Sequence, residues 1–512
     1  MADCIYKTFM ISAFFVALHV ISKFAHKFWW RPKSMQNLLR QQGIRGTCYK
    51  LLSGDMPEMK RCEEEALSKP INLNHRIVPR VIPFFHQMVQ KYGKLSLSWF
   101  GRTPRLIIGD VELIRYILAD KNGHFVKPPT MNPLVDLLQQ GLSTLEGEKW
   151  AKRRRLVTPA FHLEKLKAMV PAFSTSCSNL IKRWQKLVTE HQGSCEVDVA
   201  PEFHILAGDV IARAAFGSSY KEGKQIFELQ KEQVVLVLEA YYSVYIPGLR
   251  FIPTRKNKRN YYIYDQIKAI LQNMIQRKEQ AIKEGEMGGN DLLGLLLQCK
   301  EQNDNSMTIE DVIEECKLFY FAGQETTANL LTWTMILLSM HPNWQEKARN
   351  EVLEICGRKE PDFEAINRLK IVSMVLHEAL RLYPPVTHLF RYTKCETNLG
   401  GMIVPADVEL YLPIVLLHYD KNYWGDNAED FNPERFSGGV SKASKDQIAF
   451  YPFGWGPRIC LGQNFALIEA KMALAMILQH FSFQLSSSYA HAPYTLITLQ
   501  PQHGAPIVLQ RI

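Results

Sequence analysis

Phe453-Gly454-Trp455-Gly456-Pro457-Arg458-Ile459-Cys460-Leu461-Gly462 is the stretch from which the rest of the chain can be read. Gly456 and Gly462 let the backbone come close to a flat neighbour. Arg458 adds a planar, permanently charged fork for an anion at that neighbour's edge. Apolar residues at helical spacing follow from Gln463 to Gln479. Cys460 therefore stands just ahead of a helix start, where the dipole favours a thiolate over a thiol.

A thiolate beside a flat, anion-edged cofactor describes an axial ligand to haem iron of the kind that favours O–O cleavage. A merely buried cysteine is the alternative. Five fixed positions (Phe453, Gly456, Arg458, Cys460, Gly462), at about one in twenty each, would arise by chance in about one chain of this length in several thousand. The run resembles the haem-binding signature of the cytochrome P-450 monooxygenases, with Cys460 in the place of their thiolate ligand.

The composition of the 512 residues, 46% hydrophobic and 22% charged, is that of a globular protein with ample core material and excludes a disordered chain. No linker, repeat or low-complexity segment divides it. The net charge of +10 suits an anionic membrane surface or an acidic partner protein. No zinc-finger or RNA-binding signature accompanies the charge, so no nucleic-acid partner is expected. The ten cysteines are scattered without a Cys-x-x-Cys pair, as in a reducing compartment.

An apolar run from Phe9 to Ile21, extendable to Ile5, precedes Lys23, Lys27, Trp29, Trp30, Arg31 and Lys33. A span needs about 17 to 25 residues, so the run borrows Lys7 and the interfacial tryptophans at its ends. Positive charge mostly follows the run, which favours a retained anchor with a cytosolic body over a cleaved signal peptide. Residues 1–30 are expected as the transmembrane anchor, 31–79 as a linker and juxtamembrane segment, and 80–512 as the catalytic domain. Pro32 and Gly43-Ile44-Arg45-Gly46 are the hinge candidates between anchor and body.

Trp150 and Arg154 lie four apart on a predicted helix and share a face. That face reads as a solvated basic surface or as a pair of donors to the two carboxylates of a haem. Lys152, Arg153 and Arg155 would point elsewhere, towards an acidic electron donor. Residues 160–300 read as helical, with breaks such as Gly217 and Pro247. Thr308 caps a helix running to about Met340, with Glu310 and Asp311 in its first turn. Ala322-Gly323-Gln324-Glu325-Thr326-Thr327 interrupts that helix with residues that weaken it, unless space and proton-bearing groups are needed there. Ala322 and Gly323 would leave room over a flat cofactor, while Glu325 and Thr326 supply a carboxylate and a hydroxyl. Glu378 and Arg381, three apart in an apolar stretch, predict a buried ion pair, with Arg435 as candidate third member.

The same family resemblance covers residues 80–512. Its acid-alcohol pair matches Glu325 and Thr326, with Glu where Asp is commoner. Its structural Glu-x-x-Arg set matches Glu378, Arg381 and Arg435, and its cofactor contacts match Trp150, Arg154, Arg391, Phe453 and Arg458. By resemblance Val386 to Leu389 line the substrate side, although His388 alone reads as an ordinary histidine. The tip of the predicted hairpin Pro493 to Thr498 is expected to enter the pocket. The implied fold is mainly α with small β-sheets behind an N-terminal membrane anchor.

The implied cofactor is haem b, with NADPH electrons delivered by a membrane NADPH-cytochrome reductase at the endoplasmic reticulum membrane. The implied reaction inserts one atom of O2 into a C–H bond of a hydrophobic substrate. Gly147 to Phe173, Phe216 to Gln233 and Phe321 to Val352 resemble the plant cytochromes P-450 of family 72. Those enzymes oxidise triterpenoid, iridoid and diterpenoid hormone skeletons, with specificity expected in loops such as Lys127 to Gly141. The alternatives are oxidative inactivation of a hormone such as a gibberellin, a reductase-independent haem-thiolate isomerase or dehydratase, and a haem sensor. The intact Glu325-Thr326 pair disfavours the last two.

Overall fold

The computed structural model describes residues 2–130, 132–138, 140–218, 220–243, 251–285, 291–302, 307–445 and 449–512. The expected break at Pro247 and parts of the 127–141 loop lie outside them. The chain folds as two compact units, the smaller from Met1–Glu65, Ile82–Pro128 and Phe390–Pro413, the larger from Ala66–Val81, Pro129–Leu389 and Ile414–Ile512.

In the smaller unit the apolar N-terminus forms an exposed helix, Ala2–Ala25, long and apolar enough to cross a membrane. Its 24 residues reach about 36 Å at about 1.5 Å each. A π-helical turn, His26–Trp30, carries it without a break into the helix Arg31–Gln41. The residues expected as linker are therefore folded, and the hinge candidates are engaged. Pro32 is buried in the first turn of that second helix. Gly46 sits in a two-residue strand beside Leu97, where an added Cβ would fall 1.9 Å from a carbonyl oxygen.

Around this junction the Tyr49 hydroxyl donates to the Phe28 carbonyl at 2.7 Å, and Arg102 covers the Phe28 ring at 5.2 Å. Arg31 pairs with Asp407. The unit's six-stranded sheet runs in the order Arg45–Gly46, Leu95–Phe100, Thr103–Ile108, Glu409–Leu412, Leu389–Thr393, Phe125–Val126. The hairpin Leu95–Phe100 with Thr103–Ile108 turns at Gly101.

The larger unit is mostly helical and is built on Ile309–Met340, a helix of 32 residues. Thr308 caps it in a reciprocal box with Asp311. Its second half is apolar on every side and buried throughout, from Leu330 to Leu338. The helices Val199–Phe216, Lys370–Leu382 and Gln463–His480 pack against it. A three-stranded sheet closes the C-terminus, with Pro506–Arg511 between Phe481–Leu485 and Ser194–Asp198. Arg80, the first residue of the segment expected as the catalytic domain, donates to the Pro493 carbonyl and to the carbonyls of Ala66 and Lys69, which lie inside the expected linker.

Glu378 and Arg381 form a two-pronged pair with both side chains fully buried, at 2.8 and 2.7 Å. The remaining guanidinium hydrogens go to the carbonyls of His418, Ala428 and Asp430. Glu378 also accepts from the backbone of Asn432 at 2.8 Å. Arg435 stands 3.6 Å from Glu378 and donates to the Trp424 carbonyl, so the expected third member is present. Every polar atom in the pair is satisfied, which is the condition under which burial of charge is tolerated.

A second buried cluster joins His75, His341, Tyr383, Tyr489 and His491. His75 meets Tyr383 Oη at 3.1 Å and His341 Nε2 at 3.0 Å, and His491 meets Tyr489 Oη at 2.8 Å. Two facing Nε2 atoms can share only one proton, and burial holds His75 near 3 and His491 near 4.

Replacing Arg381 by Met strands the Glu378 carboxylate in the core and should cost about 3–5 kcal/mol. Thermal melts of Arg381→Met should show a large drop, and Arg381→Lys, which cannot reproduce the fork, should rescue little of it. The histidines give a pH dependence of definite sign. The unfolded chain takes up protons near 6.5, whereas the folded chain keeps His75 and His491 neutral until about 3 and about 4. Their contribution is complete above about 6.5 and is lost as pH falls through those lower values. His75→Gln should flatten the acid limb of a melting temperature profile.

Candidate active site

Cys460 lies at the end of a tight loop in the larger unit. Positive φ at Gly454 (72°) and Gly456 (71°) turns the chain, a conformation in which a Cβ is strained. The backbone N–H of Cys460 donates to the Phe453 carbonyl at 2.8 Å and closes the loop. Gly462 then caps the helix Gln463–His480, placing Cys460 just before a helix start as expected.

Cys460 is exposed to solvent although protein surrounds it on most sides. Burial pushes its pKa up, and the Gly462 backbone N–H and the charge of Arg154 pull it part of the way back. The helix start thus restores part of the thiol's acidity without setting it, because desolvation is the larger effect here.

Three of the other predicted side chains gather near this loop. The Arg458 guanidinium sits over the Trp150 ring, 4.4 Å from its centroid, and donates to the Leu145 carbonyl at 3.0 Å and to Glu146 at 2.5 Å. Arg154, on the same helix as Trp150 (Gly147–Val157), is close enough to Cys460 for each to feel the other's charge. Burial lowers the pKa of both arginines, as it does for cations with too few counter-charges.

The donor set fits a haem: Cys460 would supply a thiol to its iron, the glycine-built loop keeps side chains clear, and Arg154, Arg458 and Trp150 would be available to its acid groups. Among the described residues no cluster of three or more His, Cys, Asp or Glu could hold a metal ion by itself. Arg391 belongs to the sheet of the smaller unit, where it is buried and donates to the Phe390 carbonyl at 2.8 Å.

Arg153 does not point to a docking partner. It is buried, paired with Asp311 at 2.8 Å and Glu315 at 2.7 Å. One residue further along a helix is a turn of about 100°, which aims Arg153 at the long helix while Lys152 and Arg155 stay exposed. Glu315 also accepts from the Leu142 backbone, and its neighbour Glu314 from that of Gln140, so this charged row fastens the loop before Trp150.

On the long helix, Thr326 Oγ1 donates back to the Ala322 carbonyl at 2.8 Å. Gly323 corrects its expected role. A Cβ there would lie 2.9 Å from Ile211 on Val199–Phe216, so this glycine serves close helix packing and not space for a cofactor. Glu325 takes bonds from Thr498 and Asn329, two residues for which the sequence carried no signal.

The hairpin Pro493–Thr495 with Leu499–Pro501 forms as its alternation predicts. At its tip Ile497 joins a cluster of Leu138, Val234, Val237 and Phe321, which is apolar throughout. His388 makes an ordinary contact with Thr387 at 3.0 Å. His418, passed over in the sequence, bridges the Arg381 carbonyl (3.0 Å) and the Tyr451 N–H (3.1 Å), with burial holding its pKa near 3. Its only sequence trace is the polar break His418-Tyr419-Asp420 after an apolar run.

The cytochrome P450 family model matches residues 70–504. Cytochrome P450 CYP72A616 of Paris polyphylla is 53% identical over 504 residues, covering 97% of each chain. Cytochrome P450 72A397 of Kalopanax septemlobus is 52% identical over 94% of each chain. Secologanin synthase 1 of Catharanthus roseus is 48% identical, again over 94% of each.

Gly323→Ala should push helix Val199–Phe216 off the long helix and cost about 1–3 kcal/mol. Adding Ile211→Ala should recover part of that loss in thermal unfolding, since the two positions are in contact.

Proposed function

Because the chain belongs to the cytochrome P450 family, and within it to the plant 72A group of monooxygenases, we propose that it oxidises a C–H bond of a hydrophobic terpenoid. The observation that carries this reading is the open Cys460 thiol at the end of its closed loop, with Arg154 and Arg458 beside it. Haem, when bound, supplies the activation of O2.

The chain's own residues do the rest. Cys460 gives up its thiol proton on ligation, helped by Gly462 N–H and Arg154. Trp150, Arg154 and Arg458 are the side chains that the larger unit offers to the two carboxylates of the cofactor. Thr326, anchored to Ala322, carries a hydroxyl proton, and the adjacent Glu325 offers a carboxylate that can take up a proton and pass it on.

The terpenoid assignment is supported by the apolar cluster of Leu138, Val234, Val237, Phe321 and Ile497, and by the relative named secologanin synthase. An apolar surface of that kind, placed against a substrate, would select by shape and apolar area, where one methylene is worth about 1–3 kcal/mol. The N-terminal helix supports a single-pass anchor with a cytosolic body, and residence in the endoplasmic reticulum beside an NADPH-dependent reductase follows from the same reading.

The test is a carbon monoxide difference spectrum of the reduced protein in membranes, beside Cys460→His. A thiolate-type red-shifted Soret band is expected in the parent and should be absent in the variant. Folded, haem-loaded parent without that band would remove the ligand assignment. With the band in hand, terpenoid skeletons should shift the ferric spectrum and be oxidised when reductase and NADPH are supplied.

A further inference from the structure

The Glu325 carboxylate is held unevenly. Oε1 accepts from Thr498 Oγ1 at 2.7 Å and from Asn329 Nδ2 at 3.2 Å. Asn329 also donates to Thr498 Oγ1 at 3.0 Å, so the three side chains close a triangle. Asn329 and Thr498 are almost completely buried, at 1% and 2% exposure, and neither has an alternative position in water. Oε1 is therefore fixed, and Oε2 is the oxygen left for exchange.

Oε2 faces Nδ1 of His204 at 3.7 Å. His204 sits on helix Val199–Phe216, and its own backbone is tied to the long helix, because Gln324 Nε2 donates to the His204 carbonyl at 3.0 Å. Gln324 precedes Glu325, so the tether keeps the imidazole in register with the carboxylate. The side chain of His204 is 29% exposed, enough for water to reach the ring.

We propose that His204 resupplies Glu325 with protons during turnover. The imidazolium passes its Nδ1 proton to Oε2, leaving a neutral imidazole and a carboxylic acid. Solvent water then returns a proton to the ring. His204 acts through Glu325, so it is a positioning and supply residue. Thr498 and Asn329 fix the direction of exchange by occupying the other oxygen. The inference rests on the monooxygenase reading above and extends it to residues outside the signature motifs.

The charged groups acting on His204 are Glu325 on the long helix and Lys231 on helix Tyr220–Tyr241. Glu325 raises the imidazole pKa, while burial and Lys231 lower it. Tyr494, in the first strand of the C-terminal hairpin, feels the charge of the same carboxylate.

The test uses the full-length haem-loaded chain in detergent, with 13C-labelled histidine. The His204 signal is identified by its absence in His204→Gln, and its titration is then followed in the parent and in Glu325→Gln. Loss of the carboxylate should lower the titration midpoint of His204 by about one pH unit, the effect of an opposite charge at this range. An unchanged midpoint would sink the pairing.

On the same preparations, His204→Gln should lower the fraction of NADPH recovered as product several-fold, with the deficit appearing as peroxide, and the loss should deepen as pH rises. Coupling equal to the parent from pH 6 to 8 would remove the supply role. If His204→Gln does not fold, the midpoint is followed by assigning the signal that moves in Glu325→Gln, and absence of any moving signal counts against the proposal. A missing thiolate-type carbon monoxide band would instead overturn the monooxygenase reading itself, so the two failures are distinct.

Discussion

One buried ion pair carries the geometry of the larger unit. Glu378 and Arg381 are both inaccessible to water, and every donor of the guanidinium is assigned: two to Glu378 and the rest to three carbonyls. The Arg381 backbone carbonyl accepts from His418 Nδ1, and His418 Nε2 accepts from the Tyr451 N–H. That pattern fixes the imidazole as the neutral Nδ1–H tautomer, in keeping with its depressed pKa. Tyr451 opens the loop that Phe453 and Cys460 close. Hydrogen bonds thus run from the ion pair to the backbone of Tyr451, and the short loop from there, closed by the Cys460 N–H on the Phe453 carbonyl, carries the thiol.

The long helix shows how one element serves packing and chemistry through adjacent residues. Gly323 admits Ile211 of the neighbouring helix, and two residues on Glu325 looks to His204 and the hairpin tip. Thr326, Thr332 and Thr334 each return their hydroxyl to the carbonyl four residues back, which satisfies them inside an apolar core. Earlier on the same helix, Asp311, Glu314 and Glu315 fix Arg153 and the backbone of the loop before Trp150. Weak helix formers in mid-helix reflect those demands more than local propensity.

The smaller unit treats the chain that follows the apolar N-terminal helix as structure. The π-helical turn at His26–Trp30 lets one helix continue into the next, while Tyr49, Arg102 and Asp407 hold the residues around it. Gly46 cannot act as a free hinge, because its Cα approaches Leu97 more closely than any side chain would allow.

Much was legible in the sequence because it depended on short-range spacing. The Cys460 loop ahead of a helix, the Thr308 cap, the i,i+3 pair Glu378 and Arg381, the shared face of Trp150 and Arg154 and the hairpins all follow from residues a few positions apart. The tertiary structure alone decided what lay across elements. His204, Asn329, Thr498 and Glu146 are ordinary residues until folding sets them beside Glu325 and Arg458, over separations of up to some three hundred positions. Contacts across elements likewise set Gly323 against Ile211 and turn Arg153 inward to Glu315. Periodicity reports which residues share a face, and only the packing of distant helices reports what that face meets.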